Sequence, residues 1–157
     1  MDYTLFFIYL TACGAAAATG ALFPTGPWYV ALKKPVWTPP DWVFPVAWMS
    51  LYLLMSAAAA RAAMFEGATV GLALWSVQIA FNTLWTPVFF GLKRMRAALV
   101  PMAGLWLSVT ATCVAFFAVD VWAGLMFVPY VIWASVAGAL NLAMVRLNPE
   151  AASGQTA

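Results

Sequence analysis

Residues 97–119 read AALVPMAGLWLSVTATCVAFFAV, without one charged side chain. An α-helix rises about 1.5 Å per residue, so roughly 20 such residues cross the hydrocarbon core of a bilayer. Four further runs, 3–32, 42–60, 67–92 and 121–145, are equally free of charge. Each reaches or nearly reaches the spanning length. Strands are excluded because hydrocarbon offers backbone amides no partner, and these runs lack the alternation of a barrel.

Composition agrees with that stretch. Of 157 residues 66% are hydrophobic and 8% are charged, with a mean hydropathy of +0.92, whereas a soluble domain is about a quarter charged. The chain therefore reads as an all-α membrane protein, a five-transmembrane-helix bundle in a single domain over 1–148. Its helices are expected at about 5–22, 44–64, 68–91, 97–118 and 121–146, with a disordered tail at 149–157. Asp2, and no Lys or Arg, precedes the first span, which argues against a secretory signal.

Lys33, Lys34, Lys93, Arg94, Arg96 and Arg146 fall on one face of this topology and Arg61 on the other. The positive-inside rule puts the N-terminus outside and the C-terminus in the cytoplasm. The net charge of +2 is accounted for by these anchors, and no nucleic acid is implied. Cys13 and Cys113 both lie within spans, where a small buried hydrophobe is expected rather than a disulfide.

Small residues four apart in the first span, Gly14 with Ala18 and Ala16 with Gly20, suit close helix approach, within the bundle or across a dimer seam. Residues 24–43 form the longest loop. Pro24, Gly26, Pro27, Pro35, Pro39 and Pro40 interrupt any helix there, and Trp28, Tyr29, Trp37 and Trp42 lie between them. Its aromatic residues fit interfacial anchoring or a stiffened lid over the cytoplasmic end of the bundle.

Trp48 and Tyr52 stand one turn apart in the second helix. In the third, Trp75, Gln78, Asn82, Trp85 and Phe89 make one stripe at spacings of three and four. An amide aimed at lipid would be unpaired at a cost of several kcal/mol, so Gln78 and Asn82 are expected to point inward. Pro129, Trp133, Ala137 and Asn141 form a comparable stripe in the fifth helix. Pro87 and Pro129 free the carbonyls of Thr83 and Leu125, which favours kinks and room between helices.

These stripes fit two arrangements: solid packing, or one cavity in the cytoplasmic half for a large, flat, mostly apolar ligand. With no His there is no imidazole for a metal or haem iron, and no Cys pair has zinc-ligand spacing. No metal site and no required cofactor are expected. The absence of mid-span ionisable groups argues against coupled pumping.

Three strings carry a family resemblance: Trp28-Tyr29 with Lys34-Pro35-Val36-Trp37-Thr38-Pro39-Pro40-Asp41-Trp42-Val43; Asn82-Thr83-Leu84-Trp85-Thr86-Pro87-Val88-Phe89-Phe90-Gly91; and Pro129-Tyr130-Val131-Ile132-Trp133 with Leu140-Asn141. In their order and spacing the chain resembles a bacterial member of the TspO/translocator protein family, also called tryptophan-rich sensory protein or peripheral-type benzodiazepine receptor. The resemblance implies a multi-pass bundle, commonly a homodimer. It would be a receptor or carrier for tetrapyrroles such as protoporphyrin IX and haem, for sterols, and for benzodiazepine-site drugs.

Carried over by residue, the implied ligand site comprises Tyr29, Trp48, Asn82, Trp133, Ala137, Leu140 and Asn141. Tyr52, Trp85 and Phe89 join it from the stripes. In some members the tryptophans matching Trp48 and Trp133 are associated with light-dependent porphyrin breakdown, so a porphyrin-degrading enzyme is one alternative and a membrane scaffold another. The sterol-recognition segment of animal members places a Tyr before its Arg. Here Leu142 and Ala143 precede Arg146, so specific sterol recognition has weak support and Arg146 reads as a snorkelling anchor.

Overall fold

The computed structural model describes residues 2–152, and among them every regular element is helical. Helix α1 spans Tyr3–Leu22, α2 Pro27–Ala31, α3 Val43–Ala62 and α4 Thr69–Thr86. A π-helical turn, Pro87–Gly91, prolongs α4; α5 (Leu99–Val119), α6 (Val121–Leu147) and the short α7 (Pro149–Ala152) follow.

Local chemistry sets these limits. The Asp2 carboxylate accepts from the backbone N–H groups of Thr4 and Leu5 at 2.8 and 3.2 Å, capping α1. Asp120 ends α5 and begins α6, accepting from the Ala123 N–H at 2.8 Å. At the end of α4, Pro87 lacks an N–H, and its own carbonyl accepts from Leu92 at 2.8 Å to close the wide turn. Lys93 then takes a left-handed φ of 55° and the chain reverses into α5.

Helices α1, α3, α5 and α6 are long and apolar enough to cross a membrane. Helix α4 is as deeply involved in the bundle but carries Gln78 and Asn82, which lower its hydropathy. Both amides are buried, as expected of groups that hydrocarbon would leave unpaired. Neighbours run in a closed ring, α1 to α3, α3 to α6, α6 to α5, α5 to α4 and α4 back to α1.

Within that ring Met55, Trp75, Val109, Phe116, Phe127 and Tyr130 pack together in a buried core. Trp75 donates its indole N–H to the Met55 carbonyl at 3.2 Å. Cys13 and Cys113 are free and buried, and the Cys13 Sγ lies 3.5 Å from Ser56 Oγ.

Three expectations are corrected. Only part of the small-residue face of α1 packs within the bundle: Ala16 is buried, whereas a Cβ built on Gly14 or Gly20 meets nothing within 4 Å. Close approach occurs instead where a phenyl ring lies on a glycine, Phe116 on Gly71 and Phe81 on Gly104. Second, the prolines of the first loop do not exclude a helix, because Pro27 occupies the first turn of α2, where its missing N–H and fixed φ are harmless.

Third, Pro149–Ala152 are helical rather than disordered, and Ala152 is buried. Asn148 explains this, since its side chain exchanges two hydrogen bonds of 2.8 Å with the Lys33 backbone and its carbonyl accepts from Ala152 at 2.9 Å. The first loop is thereby tied to the end of α6. The rest of the expected tail, 153–157, lies outside the described residues.

Candidate ligand cavity

A cavity of about 540 Å³ opens within the helix ring on the side of the first loop. All ten residues singled out from the sequence line it: Tyr29, Trp48, Tyr52, Asn82, Trp85, Phe89, Trp133, Ala137, Leu140 and Asn141. Ring α helices and loop each contribute. The stripe on α4 delivers Asn82, Trp85 and Phe89, the α3 pair Trp48 and Tyr52, and α6 the remainder except Tyr29 of α2.

At its base, Tyr52 donates to Asn82 Oδ1 at 3.3 Å and Asn82 Nδ2 donates to the Tyr130 hydroxyl at 2.7 Å. Three helices are joined by these two bonds. On one wall, Trp85 Nε1 donates to Asn141 Oδ1 at 3.1 Å, and Asn141 Nδ2 donates to the Met95 carbonyl at 3.1 Å. Both amides thus serve structure as well as surface, because each holds an aromatic side chain in place.

Flat surfaces dominate the rest. Trp85 and Phe89 stack with centroids 4.9 Å apart, Trp48 and Tyr52 stack at 5.5 Å, and Phe44 meets Trp133 edge-on at 5.6 Å. Two buried polar side-chain atoms have no hydrogen-bond partner among the described residues, the Gln78 Oε1 and, on a cavity-lining residue, the Trp133 Nε1. A buried N–H without an acceptor is costly, and this one belongs to a residue of the cavity wall.

The loop supplies the rim. Tyr29 is tied down by Lys34, whose ammonium donates to the Tyr29 carbonyl at 2.9 Å and lies 4.5 Å from its ring centroid. Burial, reinforced by the Asp41 carboxylate, pushes the Tyr29 hydroxyl above its usual pKa, so it stays a neutral donor at physiological pH. Among the described residues no cluster of His, Cys, Asp or Glu is placed to hold a metal.

Sequence reasoning missed several lining residues. Asp41 lies within the loop motif and Phe44 just after it, and Ala16, Ala17 and Gly20 give α1 a wall too thin to fill the space. Tyr130 does not itself line the cavity but holds Asn82 at its base, and it precedes Trp133 by three, the other helical spacing that shares a face.

Known proteins resemble the chain in sequence. Residues 7–147 match the TspO/MBR family. The chain is 59% identical over 153 residues to Protein CrtK of Rhodobacter capsulatus, covering 95% of this chain and 96% of that one. It is 57% identical over 154 residues to the tryptophan-rich sensory protein of Cereibacter sphaeroides, covering 96% and 98%. With the human translocator protein it shares 35% over 126 residues, covering 77% and 75%. Its apolar helices and these matches together make it an integral, multi-pass membrane protein, and the chain belongs to the TspO/MBR family.

Proposed function

We propose that the protein is a membrane receptor or carrier that holds a tetrapyrrole, protoporphyrin IX or haem, in the aromatic cavity, and that sterols and benzodiazepine-site drugs are further ligands of the same space. In this reading α1, α3, α4 with its π turn, α5 and α6 all span, the C-terminus is cytoplasmic, and residues 24–43 cap the cavity in the cytoplasmic half. The observation that carries the proposal is the convergence of four helices' aromatic and amide side chains on one hollow of about 540 Å³. That volume lies within the range of roughly 300–1,000 Å³ typical of small-molecule sites.

Shape and chemistry both support a flat apolar guest. Stacked pairs offer ring faces, each worth on the order of 0.5–1.5 kcal/mol beyond area burial. Names among the relatives, tryptophan-rich sensory protein and translocator protein, favour sensing or carriage. A homodimer belongs to the same reading.

Titration with protoporphyrin IX, followed by quenching of tryptophan fluorescence, tests the proposal. Saturable micromolar quenching that weakens in a Trp48→Phe, Trp133→Phe double variant is expected; unsaturable quenching refutes it and leaves a scaffold. Trp48 and Trp133, both on the cavity wall, also favour a second reading, light-dependent porphyrin degradation. Faster loss of Soret absorbance under illumination with wild type than with the double variant would establish that activity.

A further inference from the structure

Resting on the reading of the cavity as a tetrapyrrole site, we propose that Asp41 is a specificity residue that penalises ligand carboxylates at the cavity rim and favours uncharged or esterified ligands.

Asp41 is the one charged side chain among the residues lining the cavity. Among the described residues its carboxylate accepts no side-chain or backbone hydrogen bond and joins no salt bridge; the Arg61–Asp120 ion pair lies at the far end of α3. The Lys34 ammonium forms no ion pair with it, donating instead to the Tyr29 carbonyl and covering the Tyr29 ring. No Lys or Arg lines the cavity.

An anionic ligand group that reaches the wall therefore meets a like charge at the rim and no counter-ion within. Burying an unpaired carboxylate is strongly unfavourable, so a porphyrin is held with its acid groups outward. There Asp41 still faces them. The rise in the Tyr29 pKa, partly from Asp41, shows that this charge is felt by a neighbour on the cavity wall. Asp41 is exposed and salt screens such interactions over about 8 Å at physiological ionic strength, which limits the effect to about threefold to tenfold in affinity.

The test titrates the full chain, in an uncharged detergent, with protoporphyrin IX and with its dimethyl ester, for wild type, Asp41→Asn and Glu66→Gln. Asp41→Asn is expected to tighten the diacid about threefold to tenfold, to leave the ester within about twofold, and to lose that gain in high salt. Glu66→Gln removes an equal charge beyond the other end of α3 and is expected to leave the acid-to-ester ratio at the wild-type value.

A purely structural role at the start of α3 would move both porphyrins together. Equal shifts for the two, an unchanged ratio in Asp41→Asn, or an equal change in Glu66→Gln overturns the inference while leaving the cavity a porphyrin site. Absence of saturable quenching by either porphyrin in wild type overturns the site itself, and the inference with it.

Discussion

The side-chain amide of Asn82 on α4 donates to the hydroxyl of Tyr130 on α6 at 2.7 Å, and both groups are buried. Tyr52 of α3 donates to the same amide from the other side. In an apolar bundle this small network replaces solvent for three polar groups, and each depends on the others.

Asn82→Ala therefore strips two tyrosine hydroxyls of their partner and is expected to destabilise the protein by about 1–3 kcal/mol. Tyr130→Phe removes only one bond and leaves Asn82 bound to Tyr52, so its loss should be the smaller. Thermal unfolding in detergent measures both, and equal losses would show that the network is not shared.

Trp133 is expected to separate binding from stability. Its indole N–H has no partner, so Trp133→Phe relieves an unsatisfied donor while keeping an aromatic ring against Phe44. The unliganded protein should change by less than about 1 kcal/mol, whereas a ligand that accepts from this N–H should lose about tenfold in affinity. Titration of wild type and variant with protoporphyrin IX, beside their melting curves, checks the pair. A large loss of stability with unchanged affinity would place the role of Trp133 in packing.

Two glycines should respond in opposite senses. A Cβ on Gly71 would lie 2.8 Å from the ring of Phe116, which is itself fully buried beside Phe127 and has little freedom to move. Gly71→Ala is expected to destabilise by about 1–3 kcal/mol through overpacking. Gly14 faces open space, and Gly14→Ala should be neutral or stabilising by up to about 1 kcal/mol through helix propensity. Melting temperatures of the two variants decide the matter.

Those glycines also mark where sequence stopped being informative. Charge-free runs identify helical segments because each must satisfy its backbone internally, and the α4 stripe points inward because Gln78 and Asn82 leave it no other choice. Which small residues permit close contact is different, since that depends on the facing helix: Gly71 and Gly14 look alike in sequence, and only Gly71 has a phenyl ring over it. The cavity residues Trp48, Asn82 and Trp133 were legible from spacing and family motif, but the hollow between them depends on volumes left unfilled by Ala16, Ala17 and Gly20 of α1. The α7 helix rests on Asn148 finding Lys33 across 115 positions of sequence, a pairing that no local pattern encodes.

At the end of the bundle away from the cavity, Asp120 couples charge to helix geometry. Its carboxylate accepts from the Arg61 guanidinium, at 2.5 and 3.1 Å, and from the Ala123 N–H at 2.8 Å. The Arg61 hydrogen bond is the main reason that its pKa lies below the ordinary value of 3.8. A carboxyl whose folded pKa is depressed stabilises the fold above its unfolded pKa, and that contribution is lost as pH falls through the folded value. The loss should therefore begin near pH 4 and be complete below the lowered pKa. Asp120→Asn keeps an oxygen to cap α6 but cannot form the ion pair, so its melting temperature should lie below wild type at neutral pH, with the gap closing under acid. Asp120→Ala gives up the cap as well and should stay below Asp120→Asn at every pH. If wild type and Asp120→Asn melted together at pH 7 while Asp120→Ala melted lower, the capping bond rather than the ion pair would be what Asp120 contributes.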